Sequence, residues 1–308
     1  MIQDTLFGLF MVWASLWPGA GAEAEGAGLK CGGALSQGGL IVCTAQPGTV
    51  AMHGSVDVEV GEDGLAVFGI ARDAPPIAEI SARRGEAQFA SRLDIAPRQD
   101  AFRVIEGLDC DRVDARTDAQ KARAGESWVL KQAAFATFHR GDDWTLGFSR
   151  PAAGPSSSPF GPARRYIGVS AVTGEPCDRV SVHRGYDIAT PVGTELIAPA
   201  GGTVTLADLD LYYEGGTIFL DHGHGLVSVF LHLSAIDVAV GQRVERGQRL
   251  GETGNTGRTT GPHLHWAVKW RDISRQDRAG DFYIDPALLL EMDLTALLAA
   301  QSENRFRR

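Results

Sequence analysis

The sequence GNTGRTTGPHLHWAVKW (residues 254–270) places two histidines two positions apart at the start of an apolar, strand-like run. Side chains two apart on a strand project from the same face, so His263 and His265 enter one site while Leu264 turns to the other face. Neutral imidazole and carboxylate ligands bind zinc at about 2.0–2.2 Å, and this pair supplies one or two ligands. A structural, hydrogen-bonded histidine pair is the alternative. The glycines before the pair predict a tight loop that delivers both side chains.

A second candidate segment, HRGYD, offers an imidazole and a carboxylate four residues apart, His183 and Asp187. The intervening glycine permits a turn or a close backbone approach, so both side chains can reach one metal ion. Together the two segments provide two histidines and one aspartate, which leaves a fourth tetrahedral position for water. An open position of this kind distinguishes a catalytic zinc site from a structural one. A chance pairing of unrelated polar residues is the alternative.

A further histidine, His232, lies in the apolar stretch LVSVFLHL. Alternation along a strand predicts that Leu226, Ser228, Phe230 and His232 share one face. A histidine in such a strand is more often a hydrogen-bonded core residue than a catalytic one. The local sequence therefore leaves the role of His232 open.

Beyond these motifs, a long part of the chain resembles the lysostaphin-type zinc metalloendopeptidases, which are peptidoglycan peptidases. The order of the motifs, their spacing and their glycines all fit that family, and the resemblance extends over residues 148–270. It is carried by FSRPAAGPSSSPFGPARR (residues 148–165), HRGYDIATPVGTELIAPAGGTVTLAD (183–208), FLDHGHGLVSVFLHLS (219–234) and VGQRVERGQRLGETGNTGRTTGPHLHW (240–266).

The resemblance implies a role for each histidine motif. The implied ligands of a single Zn²⁺ per chain are His183, Asp187 and His265, and the implied catalytic, non-ligand histidines are His232 and His263. It assigns no catalytic role to the two histidines of DHGHG, His222 and His224, which belong to a strand-end turn. Arg258 is either a contact for substrate carboxylates or a solvated loop arginine.

The fold predicted from these patterns is mainly β. Short strands and turn signals between residues 39 and 96 indicate a small β-sandwich, which is assigned to residues 25–114. A proline-free, alanine-rich stretch at residues 117–138 predicts a helix within a connecting segment, residues 115–147. By resemblance, residues 148–285 form an antiparallel β-sheet peptidase domain whose long loops make a groove. Residues 286–300 are predicted to form a helix that is followed by a polar tail to residue 308.

The N-terminus predicts export. Residues 6–17 are apolar but too short to span a bilayer, and small residues follow, so residues 1–24 are interpreted as a signal peptide, with a buried helix as the alternative. Four cysteines fit an exported protein with disulfides, for which three complete pairings exist and Cys31–Cys43 is the simplest single pair. The upstream region, together with LYYEGG (211–216) and FG-x-x-R (160–164), resembles two-domain exported proteins of Gram-negative bacteria. This indicates a periplasmic or extracellular location.

The expected partners are peptidoglycan peptides. A net charge of −9 argues against nucleic acid as a general partner, and no membrane span is expected. The leading hypothesis is an endopeptidase of stem or cross-link peptides. The alternatives are a non-catalytic wall-binding regulator that activates an amidase, and a metal-stabilised scaffold. The sequence also admits an autoinhibitory contact from the N-terminal domain, and leaves open the shape of the groove wall formed by residues 166–182.

Overall fold

The computed structural model describes residues 28–112, 114–139, 141–275 and 277–299. The predicted signal peptide and the polar tail lie outside these ranges. Within them the chain is mainly β, as the sequence predicts, and its principal sheets are largely antiparallel. None of the helices described is both long and apolar enough to cross a membrane.

The described residues form many short strands, the helices α1 and α2, two short 3-10 turns and a helical segment at residues 295–299. The strands are β1 (Leu29–Ala34), β2 (Leu40–Ala45), β3 (Val50–His53), β4 (Val56–Glu59), β5 (Leu65–Gly69), β6 (Ile77–Arg84), β7 (Ala87–Asp94), β8 (Phe102–Asp109), β9 (Ser156–Ser158), β10 (Ala163–Val169), β11 (Pro176–Val182), β12 (Tyr186–Ala189), β13 (Glu195–Ile197), β14 (Gly202–Leu211), β15 (Gly215–Gly223), β16 (Leu226–Leu233), β17 (Ala235–Ile236), β18 (Arg243–Val244), β19 (Arg249–Glu252), β20 (His263–Trp270) and β21 (Phe282–Ile284). The helices are α1 (Asp118–Ala136) and α2 (Pro286–Leu290).

The N-terminal strands form two small sheets, in the orders β1-β2-β5 and β4-β3-β6-β7. Alternation along β6 turns Ala78, Ile80 and Ala82 into the core between the sheets while the residues between them face solvent. A disulfide joins the cross-strand neighbours Cys31 and Cys43 on β1 and β2. This part of the chain is therefore the β-sandwich-like unit that the turn signals predict.

Strand β2 is buried on both faces and joins the two halves of the molecule. Its residues Ile41 and Cys43 belong to the core between the N-terminal sheets. Its alternate residues, Leu40 and Val42, belong to a second core cluster that also contains Trp270 of β20. Strand β20 belongs to the large sheet of the predicted peptidase domain, which we call the peptidase sheet. The N-terminal unit and the peptidase sheet thus share apolar packing instead of meeting only through a linker.

The peptidase sheet has the strand order β18-β14-β15-β16-β20-β12-β9, and β21 pairs with β20 outside this path. Strand β15 is buried throughout, and β16 is buried except for Leu231, because both faces of the sheet are covered. One face holds a core that includes Phe230 and Trp266, and the other face holds Phe219 and Val229 under helix α1. A separate small sheet, β13-β19-β17, lies beside this one.

Helix α1 begins where the sequence predicts. The Thr117 hydroxyl accepts a hydrogen bond from the backbone N–H of Gln120. The side-chain oxygen of Gln120 accepts one from the backbone N–H of Thr117, which completes a reciprocal cap. Few of its residues are buried, and Phe135 packs on Phe219 with ring centroids 4.5 Å apart. The helix therefore covers the second face of the peptidase sheet mainly through its C-terminal end.

A buried ion pair fastens this end of α1 to the sheet. Arg271 donates to Asp221 at 2.8 Å, both side chains are at most 1% exposed, and the guanidinium also donates to the carbonyl oxygens of Phe135 and Thr137. Removing one partner of a buried pair leaves the other charge buried without compensation.

We expect Arg271→Ala to lower the free energy of unfolding by about 3–5 kcal/mol, measured by urea denaturation. The control is Arg275→Ala, which removes an exposed arginine paired with Asp277 and should change stability by at most about 0.5–1 kcal/mol. Equal effects of the two substitutions would contradict the role of the buried pair.

The predicted C-terminal helix is wrong in its extent. The prediction of one helix over residues 286–300 is replaced by α2, which ends at Leu290, and a separate helical segment at residues 295–299. The side chain of Asp293 accepts a hydrogen bond from the Thr295 amide, which caps a new helical start and interrupts the first helix. Residue 300 lies outside the described residues.

A further small sheet combines strands that precede and follow α1 in the chain. Strands β8, β10 and β11, in the order β11-β10-β8, form what we call the β-arm, closed by a disulfide between Cys110 and Cys177. The sequence-based division assigns β8 to the N-terminal segment and β10 and β11 to the peptidase segment, but the structure pairs them in one sheet. Residues 166–182, whose shape the sequence leaves open, therefore belong to the β-arm.

Candidate metal centre

The three predicted metal ligands lie together at one end of the peptidase sheet. Asp187 on β12 and His265 on β20 are direct cross-strand neighbours, and His183 lies just before β12. Asp187 Oδ1 is 2.8 Å from His265 Nδ1 and 3.1 Å from His183 Nε2, and the two nitrogens are 3.3 Å apart. These two strands therefore bring one carboxylate and two imidazoles to a single point.

This donor set fits a zinc ion. Ligand atoms about 2.0–2.2 Å from a tetrahedral zinc lie about 3.3–3.6 Å from one another, and the distances between the three donors are close to that range. Two imidazoles and one carboxylate also form a ligand set typical of catalytic zinc sites. Although burial acts to raise the pKa of Asp187, the adjacent imidazoles of His183 and His265 lower it well below the usual range. The carboxylate is therefore ionised, as a ligand must be.

The surrounding backbone fixes which nitrogen of His183 faces the centre. Its Nδ1–H donates to the carbonyl oxygen of Pro159 at 2.6 Å, and the hydroxyl of Ser158 lies 3.3 Å from the same nitrogen. Nε2 is therefore the nitrogen that faces Asp187 and the other donors. Such hydrogen bonds behind a ligand set its tautomer and its orientation. Neither Ser158 nor Pro159 is predicted from the sequence as part of the site, because no local pattern marks them.

Gly185, between His183 and Asp187, makes room for a ligand ring. A Cβ added at Gly185 would lie 2.4 Å from His265 Nε2 and 2.9 Å from the carbonyl oxygen of Trp266. Contacts this short do not occur between non-bonded atoms, so a side chain here displaces the His265 ring. The glycine is required by close approach and not by an unusual backbone conformation.

We expect Gly185→Ala to weaken zinc binding by at least about 10-fold, because it moves His265. A competition titration with a chromogenic chelator measures this. Gly261→Ala is the control, because a Cβ at Gly261 would have no heavy atom within 4 Å. Wild-type zinc affinity in Gly185→Ala would show that His265 is not held as described.

The first candidate catalytic histidine, His263, lies beside the ligands without belonging to their triangle. Its Nδ1–H donates to the carbonyl oxygen of Gly261 at 2.8 Å, and Thr259 Oγ1 is 3.2 Å away. Its Nε2 lies 3.9 Å from Asp187 Oδ1. The loop before β20 therefore holds His263 with Nε2 on the side of the metal centre.

The second, His232, reaches the site through an unusual backbone conformation. Leu231 is the cross-strand neighbour of His265, so strict alternation would turn His232 to the opposite face, with Phe230. Its φ is 68°, in the left-handed region that non-glycine residues rarely adopt, and its ring lies 4.9 Å from the His263 ring. The prediction that His232 shares a face with Phe230 is therefore wrong.

His232 is buried and uncharged at neutral pH. Its Nδ1–H donates to the carbonyl oxygen of Thr256 at 2.9 Å. Burial, together with the neighbouring imidazoles of His263 and His265, lowers the pKa of His232 to about 4. At neutral pH its Nε2 therefore carries a lone pair that accepts a proton or a hydrogen bond.

The histidines of the strand-end turn lie outside the centre and have structural partners. His222 is buried, donates from Nδ1 to the Gly201 carbonyl at 2.7 Å, and accepts at Nε2 from the Ser228 hydroxyl at 2.8 Å. Burial lowers the pKa of His222 to about 4. His224 Nε2 lies 2.9 Å from Asp63 Oδ2, which joins the turn to the N-terminal unit.

The loop arginine Arg258 has an aromatic neighbour. Its guanidinium carbon lies 4.7 Å from the centroid of the Tyr213 ring, within the range of a cation–π contact. This contact favours a fixed side chain over a fully solvated one, and it leaves the proposed contact with substrate carboxylates as a prediction.

Comparison with known proteins supports a family assignment. The family model described as Peptidase family M23 matches residues 181–278, which include the three metal-site donors and both candidate catalytic histidines. A crystal structure assigned to peptidase M23, from Pseudomonas aeruginosa, is 31% identical with a TM-score of 0.59. The alignment covers 83% of this chain and 95% of that one. The chain belongs to peptidase family M23. The resemblance stated from the sequence is thus confirmed at the level of the family.

Other relatives share a shorter region of this chain. An uncharacterized metalloprotease from Haemophilus influenzae is 38% identical over 147 residues, which are 46% of this chain and 29% of the relative. The peptidoglycan DD-endopeptidase ShyA from Vibrio cholerae is 46% identical over 90 residues, 29% of this chain and 21% of the relative. The chain thus spans less than a third of the length of these relatives.

Proposed function

We propose that this M23 protein is a zinc-dependent endopeptidase that hydrolyses peptide bonds in the stem or cross-link peptides of peptidoglycan. The observation that carries the proposal is the coexistence of two sets of groups at one end of the sheet. Three donors, His183, Asp187 and His265, suit one zinc ion, and two further imidazoles, His232 and His263, are oriented beside them. A purely structural metal site has no use for the second set.

In the proposed mechanism the three donors hold the metal ion, and the two further histidines transfer protons. Zinc, when bound, supplies Lewis-acid polarisation of a carbonyl and lowers the pKa of water. Both candidate catalytic histidines have Nδ1 committed to a backbone carbonyl, so Nε2 is the nitrogen that exchanges protons. One of His232 and His263 accepts the proton of the attacking water. The other acts after it has taken a proton from solvent at Nε2, and it donates a hydrogen bond to the developing oxyanion or that proton to the leaving amine.

The peptidoglycan substrate is supported by relatives. The Vibrio cholerae relatives ShyA and ShyC are named peptidoglycan DD-endopeptidases. We carry that substrate class to this chain as a proposal, because the chain covers only 21–26% of those two proteins.

We also propose that the protein is exported, to the periplasm or to the exterior. Its disulfides Cys31–Cys43 and Cys110–Cys177 suit an oxidising compartment. The predicted signal peptide would direct it there, and its substrate class is an extracytoplasmic polymer. Fractionation of the producing cell, with the disulfides assayed by thiol labelling, tests this location.

The alternative is a wall-binding regulator that activates an amidase without cleaving peptides itself. The test incubates the zinc-loaded protein with a purified cross-linked muropeptide dimer, alone and then together with an amidase. Cleavage of the dimer by the protein alone supports the endopeptidase. An intact dimer together with a faster amidase supports the regulator. Inhibition of the site by the N-terminal unit stays a prediction.

A further inference from the structure

The β-arm carries arginines on the face that its own ion pairs do not neutralise. In the parallel pairing of β8 with β10, Arg103 is the register partner of Arg164, and side chains in register lie on the same face. The neighbouring strand β11 adds Arg179, which pairs with Tyr166 and so occupies this face as well. Three guanidinium groups are thus placed on one face of a three-stranded sheet.

Their charges are only partly balanced. Arg179 binds the carboxylate of Asp114. Arg164 donates to the hydroxyl of Ser158 at 2.8 Å, and no carboxylate among the described residues forms an ion pair with Arg103 or Arg164. Like charges in register are destabilising in a sheet. The net charge of the chain is −9, so a local excess of positive charge contrasts with the rest of the protein. Such a face favours binding of an anionic ligand.

On the opposite face of the β-arm, the arginine charge is balanced by a carboxylate. Arg165, adjacent to Arg164 in the chain, forms a two-point ion pair with Asp178 across β10 and β11, at 2.7 Å for its Nε. The same sheet therefore neutralises its arginine on one face and leaves two arginines without a carboxylate on the other.

The unbalanced face borders the metal centre. Ser158 Oγ, which accepts from Arg164, lies 3.3 Å from His183 Nδ1, so a single hydroxyl separates the guanidinium from the ring of a predicted metal ligand. An extended peptide advances about 3.3–3.6 Å per residue. A substrate that crosses the metal centre therefore reaches Arg164 within about three residues of the bond being cut.

We propose that Arg103 and Arg164 bind a free carboxylate of the substrate peptide, about one to three residues from the scissile bond. The inference rests on the proposed endopeptidase function and specifies its substrate as an acidic peptide. Guanidinium groups suit this task because their planar N–H groups match the two oxygens of a carboxylate. The carboxylate also supplies the counter-charge that the β-arm lacks.

The test compares one peptide substrate carrying free carboxylates with the same peptide in which they are converted to primary amides. For the wild type, amidation is expected to lower kcat/KM by about 10- to 100-fold, mostly through KM. Arg103→Gln is expected to cause the same loss on the acidic peptide and almost none on the amidated peptide. Arg164→Gln should show the same selective loss on the acidic peptide. Its zinc content is also measured, because Arg164 contacts Ser158, which lies beside the predicted ligand His183.

Arg165→Gln is the matched control, since it removes an arginine from the opposite face of the same strand, and both peptides should be cleaved as by the wild type. Equal losses on the two peptides in Arg103→Gln would overturn the inference, because a structural defect does not distinguish a carboxylate from an amide. Equal cleavage of both peptides by the wild type would also overturn it.

Binding separates this inference from the proposed function. Calorimetry with a stem tetrapeptide and with its amidated form needs no hydrolysis. Tighter binding of the acidic form, lost in Arg103→Gln, would uphold the carboxylate site even if no peptide were cleaved. Cleavage of peptidoglycan together with equal binding of the two forms would uphold the endopeptidase and reject the carboxylate site.

Discussion

Replacing His263 with alanine is expected to leave about one zinc ion bound per chain while lowering kcat/KM by about 10²–10⁴-fold. The imidazole lies beside the metal donors, with Nε2 3.9 Å from Asp187 Oδ1, and its Nδ1–H donates to the Gly261 carbonyl oxygen. The substitution therefore removes a group that exchanges protons and leaves the three donors in place. Zinc is measured by elemental analysis and hydrolysis with a muropeptide dimer.

The same substitution at His53 provides the control. His53 lies on β3 of the N-terminal unit, where its Nδ1 is 3.1 Å from the Glu79 carbonyl oxygen, far from the donors in the fold. His53→Ala should retain both zinc and activity. Near-full activity of His263→Ala with zinc bound would show that the catalytic assignment is wrong.

Replacing Asp187 with alanine is expected to abolish both zinc binding and activity. Its Oδ1 lies within 3.1 Å of both ligand nitrogens, so it is the group common to the whole donor set. Loss of a ligand costs more than loss of a supporting hydrogen bond, so zinc affinity should fall by more than about 100-fold. His183→Ala should have the same two effects, and the pattern differs from that of His263→Ala.

Asp277→Ala is the matched control for loss of a carboxylate. Asp277 is exposed and paired with Arg275, so its removal should change neither zinc content nor hydrolysis. If Asp187→Ala retained one tightly bound zinc ion, the metal would be held by other residues. The proposed donor set would then be wrong.

The parts of the site that the sequence predicts follow from local geometry. His263 and His265 share a face because strands have a two-residue period, and Asp187 meets His265 because β12 pairs beside β20. His232 is different. Its side chain reaches the site through a left-handed backbone, stabilised by contacts that include its amide donating to the Glu214 carbonyl, and no pattern of apolar residues encodes such a contact.

In the fold as well, elements set by neighbouring residues can be predicted from the sequence, whereas pairings between distant strands cannot. Helix α1 is predictable because Thr117 and Gln120 form its cap within four residues. The β-arm is not predictable in this way, because β8 and β10 pair across a segment that contains α1. The alternation of residues along either strand does not show which distant strand is its partner. The second disulfide, Cys110–Cys177, closes the same distant pairing.

The most direct test of the central claim is digestion of purified peptidoglycan by the zinc-loaded protein, with and without a chelator, followed by mass spectrometry of the muropeptides. We expect cross-linked dimers to disappear, and monomers carrying one added water to accumulate, only when zinc is present. The bond cleaved can be read from the masses of the new monomers. Dimers that persist in the presence of zinc-loaded protein, while an unrelated endopeptidase cleaves them, would contradict the proposed function.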